Sequence, residues 1–353
     1  MAQAFDPRRL ELRGNPMPVA EQAGGGNAKR TGAGAGFSAS ADGTLVWKPG
    51  PSARMAQLTW LDRSGKVLGT LGEPAETTNP APSPDGQRVL ATIRDQATGG
   101  RDIWVYDLVR NTLRRITFDP VDAYCPVWSP DGRHVAFNSR RKGQRDIYRK
   151  LSDGTGPEEE LLISDLPKGV ESWSADGKYI GYNQSAAGSA NSANGDLFLL
   201  PLDGDRKPVP FDPGKNSEYN GSLSPNGRWM AYDSNESDRG IIQVFVQAAP
   251  GTGAKGKWQV SPGLGVGPQW RSDGKELFFL SHNRIFAVPV KTDGPSFEAG
   301  TPVPLFDIRL GPSLRNHFTV TADGQRFLVA MAPDEKSFDH FNVILNFTAG
   351  LKR

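Results

Sequence analysis

The chain has 353 residues, with 41 Lys and Arg against 39 Asp and Glu, a formal net charge of +2, and basic residues scattered rather than gathered in a stripe. That balance gives no footing for nucleic-acid binding, which needs a broad basic surface interleaved with stacking aromatics. With 41 Gly, 28 Pro and no apolar run near 18 residues, the composition is that of a turn-rich all-β chain and gives no segment for membrane insertion.

In chain order, Met1 to Gly14 carries no apolar core of the signal-peptide type. The run Leu10-Glu11-Leu12-Arg13-Gly14-Asn15-Pro16-Met17-Pro18 is similar to Phe297-Glu298-Ala299-Gly300-Thr301-Pro302-Val303-Pro304, which leads into a strand near the other end of the chain. Residues 16 to 22 are therefore expected to form a closing strand beside the C-terminal strand, removing two exposed edges. Gly24 to Gly36 contains Lys29 and Arg30 but lacks the residue order of a phosphate loop, so residues 1–36 read as a closing strand followed by a Gly-rich linker.

From Phe37 onward an Asp-Gly or Asn-Gly pair recurs at Asp42, Asp85, Asp131, Asp176, Asn226, Asp273 and Asp323, at steps of 43 to 50 residues. Three residues before it stand Trp128, Trp173, Leu223, Trp270 and Val320, with Pro82 and Ala39 as weaker copies. Four and six residues after it stand pairs such as Val89 and Ala91, Val135 and Phe137, Met230 and Tyr232, the two-residue spacing of a strand with one buried face. Ser-Pro-Asp-Gly at Ser83 and Ser129 puts Pro where φ is near its fixed value and Gly where φ must be positive, so each pair sits in a hairpin. A third apolar segment follows, as in Asp102-Ile103-Trp104, Asp146-Ile147-Tyr148 and Asp196-Leu197-Phe198, and then a fourth, as in Leu113 to Phe118 and Trp258 to Ser261. Four strands per repeat of this length predict propeller blades, beginning near 37, 80, 126, 171, 221, 268 and 317, in one propeller domain over 37–353. Seven turn pairs predict seven blades, with six as the alternative.

The stretch Pro126 to Gly132, P-x-W-S-P-D-G, followed by V-A-F-N-S-R and D-I-Y, resembles the TolB-like propeller repeat, and the resemblance runs from about Phe37 to Phe347. Leu58 to Lys66, Gly204 to Phe211, Ser224 to Tyr232, Lys257 to Ser261 and Asn346 to Lys352 are similar to the C-terminal propeller region of large bacterial proteins, many of them acidobacterial, in which a serine/threonine kinase domain and a membrane helix precede the propeller. The resemblance implies a periplasmic or extracytoplasmic, kinase-associated sensory or scaffold module. This chain has no Gly-rich phosphate loop with a strand lysine, no H-R-D-type loop and no D-F-G, so kinase activity is not expected of it.

Other chemistry is sparse. Cys125 is the one cysteine, which excludes an intramolecular disulfide and a Cys-based metal cluster, and it is expected to be a small buried hydrophobe. His134, His282, His317 and His340 fall in three repeats without metal-site spacing, and no G-x-S-x-G elbow is present, so no metal and no cofactor is expected. Arg140 with Asp146 reads as a hairpin-bracing pair. The propeller rim formed by loops entering the first strands is the default binding face, since loops converge there from every blade. It would present Asp122, Tyr124, Glu171, Glu218, Tyr219, Arg315 and His317, with Lys168 among them and Arg94, Arg140, Asn183, Asp233 and His282 bordering the same face. Mixed charge with Tyr suits a protein or peptide partner, and the central channel offers room for a small ligand. The expected function is a non-catalytic binding module; the alternative is a propeller enzyme, a metal-dependent polysaccharide lyase or a lactonase-type hydrolase.

Overall fold

A hydroxyl and an Asp or Asn side chain close five of the described hairpins in the same way. Ser83 Oγ accepts from the Arg88 N–H at 2.9 Å, Asp85 Oδ1 accepts from the Gln87 N–H at 3.0 Å, and the Gly86 N–H donates to the Ser83 carbonyl at 2.8 Å. Ser129, Ser174, Ser224 and Thr321 repeat the hydroxyl contact at 2.8–3.1 Å. Gly86, Gly132, Gly177, Gly227, Gly274 and Gly324 all lie at φ between 68° and 77°, a left-handed position that a side chain disfavours. The sixth turn has Arg271 in place of Ser or Thr, and there the guanidinium donates to Asp273 at 2.6 Å instead.

This arrangement makes acid an agent of unfolding. Asp131 is held below its ordinary value by the Ser129 hydroxyl and the Arg133 N–H, Asp323 by Thr321 and Gln325, and Asp273 down to about 2 by Arg271. In Asp85 and Asp176 burial pushes upward most strongly, but it is outweighed by the sum of the serine hydrogen bond, the backbone N–H of Gln87 or Lys178 and the charge of Arg88 or Lys178. A carboxyl whose folded value lies below its unfolded value adds stability above the unfolded value and loses it as pH falls through the folded one. The urea midpoint is therefore expected to drop between about pH 4 and about pH 2, with a shallower drop in Asp131→Asn; a flat profile across that window would contradict the hairpin account.

The structure is a computed structural model and describes residues 2–6, 9, 11–17, 37–40, 44–47, 55–95, 98–118, 121–185, 195–211, 216–237, 240–311, 318–333 and 342–345. Every regular element among them is a strand, and no helix long and apolar enough to cross a membrane occurs there. The chain divides into two compact units, Ala56–Met331 and Met1–Met55 with Ala332–Arg353.

The larger unit holds six antiparallel sheets, numbered here in order. The first runs Thr77–Pro82, Arg88–Arg94, Arg101–Asp107, Thr112–Arg115; the second Ala123–Trp128, His134–Lys142, Gln144–Leu151, Glu159–Leu162. The third runs Lys168–Trp173, Tyr179–Ser185, Gly195–Pro201, Val209–Pro210; the fourth Glu218–Leu223, Trp229–Ser234, Gln243–Ala248, Lys257–Gln259. The fifth runs Val266–Trp270, Glu276–Ser281, Arg284–Lys291, Val303–Asp307, with Glu298–Ala299 added beside the third strand. The sixth takes its first two strands, Phe318–Val320 and Arg326–Met331, from the end of the unit and its outer two, Ala56–Asp62 and Val67–Ala75, from the beginning.

Six apolar clusters fill the six interfaces, and they close a circle. Leu90 and Val105 meet Val135 and Phe137 between the first and second sheets. Leu161 meets Ile180 and Tyr182 between the second and third, and Leu199 meets Met230 between the third and fourth. Trp229 meets Phe279 between the fourth and fifth, and Phe278 meets Phe327 between the fifth and sixth. Leu58 and Leu328 of the sixth then meet Val89 and Ala91 of the first. Sheets stacked on both faces bury both sides of their second strands, which is the packing of a propeller. The Trp before two of the turns also clamps its neighbour: Trp128 Nε1 donates to the Ala81 carbonyl and Trp270 Nε1 to the Ser222 carbonyl, each at 2.8 Å and each in the preceding sheet.

The smaller unit contains a hairpin of Ala2–Asp6 with Glu11–Met17 and a three-stranded sheet of Phe37–Ala39, Leu45–Trp47 and Asn342–Ile344. Of the expected closing strand at residues 16 to 22, Pro16 and Met17 belong to the hairpin and 18–22 lie outside the described residues; the larger unit is closed by Ala56–Asp62 against Arg326–Met331. Among the described residues six sheets have four or more strands, the number expected as the alternative to seven. The repeat beginning at Phe37 makes two strands of three residues, and the pair that follows it in sequence completes the sixth sheet instead. The Gly-rich stretch 24–36 and the Asp42-Gly43 turn lie outside the described residues.

Candidate binding rim

The first strand of each of the first five propeller sheets is bent by a bulge, which lets the residues at its start be aimed independently of those near the Asp-Gly turn. Register breaks fall between Thr78 and Ala81, Tyr124 and Val127, Val170 and Ser172, Tyr219 and Ser222, and Val266 and Gln269. In four of the five an inserted residue is left-handed: Asn79 at φ 54°, Cys125 at 54°, Asn220 at 52° and Gly267 at 64°. All four stand three residues before the turn's Trp position, a regularity visible in the sequence that its reading missed. Cys125 is thus no plain buried hydrophobe; it is half-buried and holds a strained backbone.

Side chains of the preceding sheet fix these bent strands. Asn138 Oδ1 accepts from the Val170 N–H at 2.8 Å, and Asp233 accepts from the Gly267 N–H at 3.0 Å. Asn183 and Asp233, expected at the border of the rim, are accordingly interior. Lys168, expected on the rim, is buried as well: its Nζ donates to Asp146 Oδ1 at 2.8 Å, the Leu166 carbonyl at 2.8 Å and the Ser164 carbonyl at 3.3 Å. Asp146 is therefore paired with Lys168 of the next sheet and not with Arg140.

Pairing across the sheets aligns the rim candidates. Thr78, Tyr124, Gly169 and Tyr219 lie opposite Thr92, Asn138, Asn183 and Asp233, the same step of four successive sheets. Two tyrosines thus flank a glycine at one level, and Glu171, two residues further along the same strand as Gly169, is the extra residue of the third sheet's bulge. Burial pushes the Tyr124 hydroxyl up, while Arg145 and Arg140 pull it the other way. Glu218 is buried one step outside Tyr219, opposite Ser234. Asp122 accepts the Arg101 N–H at 2.9 Å and pairs with its guanidinium at 3.3 Å, tying the second sheet's entry loop to the first sheet. Burial also raises the Asp102 carboxyl, against the Thr117 hydroxyl and the Arg115 guanidinium that hold it at 3.0 and 2.8 Å. Arg315 and His317 lie outside the described residues, as does His340.

The opposite face, formed by the Asp-Gly turns, is strapped shut by arginines. Arg88 donates to the Gly132 carbonyl at 3.1 Å, Arg63 to the Gly324 carbonyl at 3.1 Å and Glu276 at 2.5 Å, and Arg228 to the Gly294 carbonyl at 2.8 Å. Each reaches from one sheet to a neighbour. Among the described residues no three His, Cys, Asp or Glu gather as metal ligands, and His134 and His282 stand on different sheets.

The family model for the TolB beta propeller domain matches residues 70–249. A solved chain from Agrobacterium tumefaciens described as TolB superposes with a TM-score of 0.60 at 19% identity, over 78% of this chain and 97% of that one. Oligogalacturonate lyase in complex with manganese superposes with a TM-score of 0.51 at 12% identity, over 89% and 82%. In sequence, the uncharacterized peptidase YuxL of Bacillus subtilis is 26% identical over 198 residues, 45% of this chain and 29% of that protein. The chain spans about half or less of the length of the curated relatives it matches.

Proposed function

The chain belongs to the TolB beta propeller domain family, and from that premise we propose that it is a non-catalytic module that binds a protein or peptide on the rim opposite the Asp-Gly turns. The observation that carries this reading is the alignment of Tyr124, Gly169 and Tyr219 at one level of three successive sheets. Two half-buried aromatic rings on either side of a position with no side chain suit an inserted side chain. Service as the sensory or scaffold part of an extracytoplasmic, kinase-linked protein belongs to the same proposal, as does a small ligand in the central channel.

Tyr124→Ala with Tyr219→Ala tests the rim directly. Immobilised wild-type and double-variant protein, matched by circular dichroism, would be used to capture partners from envelope and cytoplasmic extracts. Recovery by the variant is expected to fall about tenfold or more, as for loss of two aromatic anchors. Equal recovery by both forms would place the binding surface elsewhere.

A further inference from the structure

The hairpin between the second and third strands of the second sheet gathers four cations within six residues, Arg140, Arg141 and Lys142 before its turn and Arg145 after it. Gly143 turns it at φ 96°, and the Gly143 N–H donates to the Arg140 carbonyl at 2.8 Å. Asn138 stands opposite Tyr124 and Ser139 opposite Ala123, so Arg140 follows directly after the residues paired with the start of the first strand. The hairpin and Tyr124 therefore share one corner of the rim.

Most cations around this corner are already neutralised. Arg141 is paired with Glu158, Lys142 with Glu160 at 2.6 Å, and Lys168 with Asp146 at 2.8 Å. Asp122, the residue before Ala123, is held by Arg101 at 3.3 Å. Arg140 is exposed and, among the described residues, is left without a carboxylate of its own. The Tyr124 hydroxyl is enclosed, and among the described residues no hydrogen bond of good geometry reaches it. Arg145 and Arg140 both favour negative charge at that hydroxyl. An enclosed hydroxyl and a guanidinium thus lie at one corner as donors lacking an acceptor. A carboxylate has two oxygens and a full charge, so it satisfies both, and its bonds to a guanidinium are of the strong, charge-assisted kind.

We infer that the rim recognises an acidic group, whose carboxylate accepts from the Arg140 guanidinium and the Tyr124 hydroxyl at the second sheet. That chemistry rests on the rim being the binding face, and it specifies the partner as a segment carrying Asp, Glu or a free C-terminus. Charge also sets the direction in which the segment lies: Glu171 and Glu218 belong to the third and fourth sheets and repel a carboxylate, whereas Arg140 attracts it to the second.

Arrays of random decapeptides, synthesised with free and with amidated C-termini, provide the probe. Binding is read for the wild-type protein, for Arg140→Gln, for Arg140→Glu and for Tyr124→Ala with Tyr219→Ala, all matched by circular dichroism. Peptides that bind the wild type and not the tyrosine variant are expected to share an Asp or Glu or to require the free C-terminus, and the amidated array tells these two sources apart. Their affinity is expected to fall about tenfold in Arg140→Gln, further in Arg140→Glu, and to weaken as salt is raised. Tyrosine-dependent peptides that carry no acidic group, or that bind Arg140→Gln as well as wild type, would overturn the carboxylate assignment while leaving the rim as the binding face. A complete absence of tyrosine-dependent peptides would overturn the rim reading and the assignment with it.

Discussion

Replacing Lys168 by alanine is expected to lower the unfolding free energy by about 3–5 kcal/mol, the cost of leaving a charge buried and uncompensated. Lys168 and Asp146 have side chains 0% and 1% exposed, and the ammonium uses its three protons on Asp146 and the carbonyls of Leu166 and Ser164. Without it the Asp146 carboxylate keeps the Ser164 N–H at 3.1 Å, and two carbonyls lose a donor. The pair joins the third strand of the second sheet to the first strand of the third, so the loss falls on an interface of the ring. Lys168→Met with Asp146→Leu removes both charges at similar volume and is expected to recover most of the loss, because well-packed apolar replacements of buried ion pairs are often neutral. Urea denaturation of the single and double variants measures both quantities. A single variant within about 1 kcal/mol of wild type would show that the pair is not buried as described.

Trp229→Ala is expected to cost a similar amount, about 3–5 kcal/mol, by opening a cavity at the interface of the fourth and fifth sheets. Trp229 is fully buried, its ring centroid 5.5 Å from that of Trp258 and 5.9 Å from that of Phe297. Its indole N–H donates to the Thr292 carbonyl at 2.9 Å, across to the fifth sheet. Trp229→Phe keeps ring packing and loses that bond, so it should cost clearly less, and the difference between the two variants separates volume from hydrogen bonding. Thermal or urea unfolding followed by Trp fluorescence provides the comparison; equal losses in both would contradict the packing argument.

The repeat itself was legible because its parts are local. Ser, Pro, Asp and Gly within four residues specify the hairpin without help from the rest of the molecule, and the all-strand architecture follows from repeating it. Alternation was a poorer guide. Met230 and Tyr232 stand out at a spacing of two, yet Trp229, Ala231, Asp233 and Ser234 are buried with them, because a sheet stacked between two neighbours has no solvent face. Partners from other repeats were not legible either. Arg140 is close to Asp146 in sequence, but Lys168, 22 residues away on the next sheet, reaches it in space. Counting turns could not show which outer strands complete which sheet, since Leu45–Trp47 offers a three-residue edge and Arg326–Met331 a six-residue one, and Ala56–Asp62 matches the longer. On the rim, Tyr124 and Tyr219 are legible from their place at the entry to first strands and their residue type; that they share a level with Gly169 between them depends on bulged first strands, a feature of the fold that includes left-handed Cys125 and Asn220.

The rim exists only if the six sheets close on themselves through Ala56–Asp62 and Arg326–Met331. Amide hydrogen exchange resolved to those two strands tests this most directly. Protection comparable to that of Trp229–Ser234, a fully enclosed second strand, is the expected result. Rapid exchange throughout Ala56–Asp62, with the other sheets still protected, would show that the circle is open and that the level of tyrosines is not held in place.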